Sequence, residues 1–168
     1  MKQFIGPGAI TPYGSYIARL IFPDLATLIP VLLYSVNLTG TMLTSFLLAR
    51  LGRKPILQTG VLSGIIALIL VTIGFFIESE GGNVIVIVGL FIWMISVGSA
   101  IFPISWLYIA EIVEPTFITI PTMINWFSAV IITILFPILE EAITAGPVFA
   151  FFAVYCLVFW IINQKLLI

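Results

Sequence analysis

Histidine is absent from the 168 residues, cysteine occurs once, and only 8% of the chain is charged. Each shortage excludes a class of chemistry. Without histidine there is no imidazole for a metal site or for a proton relay near neutral pH. The sequence holds no Ser/His/Asp set, no Cys/His pair, no metal-ligand cluster and no phosphate-cradling glycine loop, so neither an enzyme nor a bound cofactor is expected. The lone Cys156 cannot close an intrachain disulfide and reads as a small packing residue in an apolar run. Six lysines and arginines against seven acids leave a formal charge of -1, which offers no basic patch to nucleic acid.

What fills the chain is apolar: 62% hydrophobic and 14% aromatic residues, where a soluble domain carries roughly 25% charge. This composition implies an all-α, multi-pass integral membrane protein whose first partner is the lipid bilayer. Which membrane it occupies is not written in the sequence, and a mitochondrial inner membrane and a plasma membrane both fit. A single Lys2 is followed by Gly6-Pro7-Gly8 instead of a clean apolar run with a cleavage site, so a removable signal peptide is not expected. Hydropathy and punctuation divide one domain, residues 1–168, into a partial or broken helix at about 4–18 and five full spans. These lie at about 25–49, 56–77, 84–110, 117–139 and 148–164.

Several stretches stand out within the spans. Asn37, Thr41, Thr44 and Ser45 recur at intervals of three and four, a polar stripe expected to face protein or water. Gly60 and Gly64 form a GxxxG pair that permits close helix contact. Gly98 to Glu111 combines small residues, Pro103, Trp106 and a terminal carboxylate, and Pro103 is expected to kink or break its helix. Pro121 and Pro137 are expected to interrupt the following span. Arg50, Arg53 and Lys54 crowd around Gly52, and alternation of spans places Lys165 on the same side, with Glu78, Glu80, Glu140 and Glu141 opposite. Glu140-Glu141 at a span end reads as a pair of solvated loop charges.

These motifs carry a resemblance. Arg50-Leu51-Gly52-Arg53-Lys54 resembles the Arg-x-Gly-Arg-Arg/Lys loop after the eighth helix of the sugar porter family in the major facilitator superfamily. Pro103-Ile104-Ser105-Trp106 with Ala110-Glu111 is similar to that family's tenth-helix pattern, Asn125-Trp126 to its eleventh-helix pair, and Gln3 with Gly6 to its seventh. Four motifs in the right order imply half of a major facilitator fold, helices seven to twelve. By that resemblance Gln3, Asn37, Trp106 and Asn125 would line a substrate cavity, where amides and an indole face suit sugar hydroxyls. Arg50, Gly52, Arg53, Lys54, Pro103 and Glu111 would belong to the gate and its charge network.

The departures from the family pattern all weaken function-specific parts. Lys2 and Gly8 replace amide readers, and Gly98 stands where a glutamate is usual. Ala100-Ile101-Phe102 replaces a Gly-Pro-Gly hinge, Ala49 replaces an acid, and no cation follows Glu111 before Glu114-Pro115. One six-helix half also leaves its polar stripe facing lipid, so other integral membrane subunits are expected to cover it. The leading expectation is therefore a structural or accessory subunit of a larger membrane complex, derived from a degenerate sugar-transporter-like half and not transporting by itself. The alternative is one half of a split or dimeric transporter of a hexose-like sugar, and a third reading is a piece of a longer protein.

Overall fold

The computed structural model describes residues 16–17, 21–25, 27–77 and 79–166, and all regular structure among them is helical. The expected partial helix at 4–18 lies outside the described residues except for Tyr16 and Ile17, and Gln3 lies outside them entirely. In chain order the helices are α1 (Leu28–Leu51), α2 (Arg53–Phe76), α3 (Glu80–Ser96), a π-helical turn (Val97–Ile101), α4 (Phe102–Ile112), α5 (Thr119–Ile143) and α6 (Ala145–Leu166). Because α3, the π turn and α4 follow one another without a gap, five segments among the described residues are long and apolar enough to cross a membrane. The protein is an all-α, multi-pass integral membrane protein.

Proline does less damage than its number suggests. Pro30 and Pro121 each occupy the third position of their helix, where the missing N–H has no intrahelical acceptor to serve. Pro137 lies inside α5 and removes one i→i−4 bond, yet the 25-residue helix runs on through it. The interruptions expected at Pro121 and Pro137 are therefore absent. The break expected at Pro103 is absent too. The helix continues through that residue, and the irregularity is displaced to the preceding residues, where Phe102 N–H bonds to Val97 O in a wider turn.

Consecutive helices join through single residues at two places. Gly52 links α1 to α2 with φ 78 and ψ 177, and its N–H closes on Leu48 O at 3.3 Å. Thr144 links α5 to α6 with nearly the same backbone, φ 68 and ψ 166, and closes on Glu140 O at 2.9 Å. Only glycine adopts this conformation without strain, so the first joint is relaxed and the second is not. The basic loop around residues 50–54 thus reduces to one glycine between two helix ends.

Helix α2 is the centre of the bundle, packed between α3 and α6. Small residues set these approaches: a Cβ added at Gly60 would collide with the Ala100 methyl, and one at Gly64 would lie 2.9 Å from the Trp93 ring. On its other side α2 meets α6 through Phe75 stacked on Phe149 at 5.6 Å, with Phe136 of α5 edge-on to Phe149 at 6.0 Å. Ser63 and Ser96 share a hydrogen bond of 2.8 Å across α2 and α3, which is the way neighbouring membrane helices satisfy hydroxyls away from water. Outward faces are apolar: Met42, Phe46, Phe76 and Phe127 are each about two-thirds exposed, as a lipid-facing surface requires.

The two joints separate cleanly by mutation. Thr144→Gly is expected to raise stability by about 1 kcal/mol by relieving the positive φ, while Gly52→Ala lowers it by roughly 1–3 kcal/mol. Thermal unfolding of the purified chain in mild detergent, followed by helical circular dichroism, measures both.

Candidate functional site

The residues that the sequence singles out meet where α1 crosses the π turn. Leu33, Asn37, Gly40 and Thr44 follow at intervals of three and four, and this line, not the full polar stripe, is the inner face of α1. Thr41 and Ser45 are exposed, and Thr41 donates only to Asn37 O within its own helix. Gly40 permits the crossing, since a Cβ there would stand 3.1 Å from both Ile95 O and Ser99 N. Gly98 permits it from the other side, because a Cβ would run into the Asn37 carbonyl.

Two polar side chains tie the crossing. Asn37 Nδ2 donates to Met94 O at 3.1 Å. Thr44, only 4% exposed, places its hydroxyl 2.7 Å from Ser99 O, 3.4 Å from Gly98 O and 3.1 Å from Gly40 O. The reason lies four residues on. In a regular helix Ser99 O would accept from residue 103, which is proline and has no N–H to give. Thr44 supplies a replacement donor from the neighbouring helix, and the Ser105 hydroxyl caps the Ile101 carbonyl within the same strand of the bundle. The sequence marks Thr44 as part of a polar stripe and Pro103 as a helix disturbance. Their pairing depends on the register between α1 and the π turn, which no local pattern carries.

The charged candidates lie at the far end of α1. Arg53 Nη1 and Glu111 Oε2 form a salt bridge between the start of α2 and the end of α4, with the two side chains 42% and 37% exposed. Arg50 lies 5.5 Å over the Phe46 ring, and Lys54 is exposed beside it. Gly52 turns the chain between these cations. Of the cavity candidates, Trp106 is half-buried on α4, eight residues or about 12 Å of helix rise beyond Gly98. Asn125 is buried on α5 on the same face as Ser128, whereas Trp126 is 64% exposed and borders an outward groove.

Comparison with known proteins decides the family. Residues 1–167 match the family described as "Sugar (and other) transporter". The chain belongs to this family. It is 30% identical over 158 residues to vacuolar protein sorting-associated protein 73 of Saccharomyces cerevisiae, covering 91% of this chain and 32% of that protein. It is 29% identical over 132 residues to the facilitated trehalose transporter Tret1 of Polypedilum vanderplanki, covering 73% and 26%. Hexose transporter 1 of Plasmodium yoelii yoelii is 25% identical over 166 residues, covering 94% and 32%. The chain therefore spans about a third of the length of these relatives.

Thr44→Val removes the donor without changing side-chain size, and it is expected to cost about 1–2 kcal/mol by leaving a buried carbonyl short of a partner, whereas Thr44→Ser keeps most of the stability. Hydrogen exchange of the amides of residues 99–102 and 104 should quicken in Thr44→Val alone. For the ion pair, a double-mutant cycle of Arg53→Ala and Glu111→Ala is expected to give a coupling of no more than about 1 kcal/mol, because exposed pairs are screened.

Proposed function

We propose that this sugar-transporter-like chain holds structure in a membrane assembly and, by itself, does not carry solute. The observation that supports this reading is the use made of Asn37. Its amide, one of the cavity candidates, donates to the Met94 carbonyl and knits two helices together. The same crossing packs Gly98 against the Asn37 backbone, and Ala100 and Ile101 are buried where a hinge would have to open. A carrier needs two helical halves rocking about a shared site. On the outer face of α1 the exposed Ser35, Thr39 and Thr41 return their hydroxyls to carbonyls of their own helix, so the faces of α1 and α5, with Met42, Phe46, Trp126 and Phe127 exposed, are apolar and suit cover by other integral subunits.

A second reading keeps the chain as one half of a split or dimeric carrier of a hexose-like sugar. The Arg53–Glu111 pair favours it, since it joins two helix ends in the way a charge latch does. In this reading Gln3, Asn37, Trp106 and Asn125 line the solute path, and Arg50, Gly52, Lys54 and Pro103 serve the gate.

Reconstituted alone in lipid vesicles, the protein is expected to show no saturable uptake of labelled hexose above protein-free vesicles. Saturable uptake that is lost in Trp106→Ala would replace the first reading with the second.

A further inference from the structure

We draw no further inference here: the strongest candidate, the recess of about 330 Å³ that Tyr16, Pro137, Glu140 and Glu141 line at the C-terminal end of α5, rests on two adjacent carboxylates, one of them already accepting from the Tyr16 hydroxyl at 3.2 Å, and nothing else among the described residues points to a ligand there.

Discussion

Where Gly40 meets the π-helical turn, no side chain separates two backbones, and a hydroxyl from one helix serves carbonyls of the other. Much of the bundle follows from that contact. Pro103 withholds a donor from its own helix, the turn before it widens, and Thr44 restores the missing bond from α1. In a bilayer such a repair is demanded, because no water reaches the carbonyl. The widened turn then presents Ala100 to Gly60, which brings α2 against the same helix and fixes the centre of the core. Asn37 on Met94 ties α1 to α3 one helical turn before the crossing.

This arrangement spends polar groups on packing that a solute path would need for recognition. An amide satisfied by a backbone carbonyl must break that bond before it can bind a sugar hydroxyl, so each such bond raises the barrier to recognition. The charged end is built differently. Arg53 and Glu111 remain partly exposed, and their attraction is screened, which allows the helix ends to part at little cost. The bundle is thus firm at its crossing and loosely held at its basic end. The same contrast appears at the joints: Gly52 turns without strain beside the cations, while Thr144 turns at a cost beside the acids.

Much of the fold was legible in residue types. Long apolar runs punctuated by Arg50, Glu80, Glu114 and Gly146 are enough to mark the chain as all-helical and membrane-embedded, because lipid tolerates charge only near helix ends. Arg53 and Glu111 were named together only through the family resemblance, and the salt bridge between them belongs to the tertiary structure. Proline was misread, since its effect depends on position: Pro121 falls in a first turn, the helix runs on through Pro137, and the damage at Pro103 is shifted upstream and mended by another helix. The stripe on α1 was half right. Spacing alone grouped Thr41 and Ser45 with Asn37 and Thr44, yet the crossing selects the line through Leu33 and Gly40.

Composition and order along the chain determined by themselves that this is an all-α membrane protein of the sugar transporter family, because insolubility of the backbone in lipid leaves helices as the solution for such runs. Tertiary structure decided what the polar residues do. Whether Thr44 meets lipid or a carbonyl and whether Asn37 holds a helix or awaits a solute both depend on interhelical register. That register is set by the collisions of glycine, alanine and tryptophan surfaces many residues apart, and no local pattern encodes it.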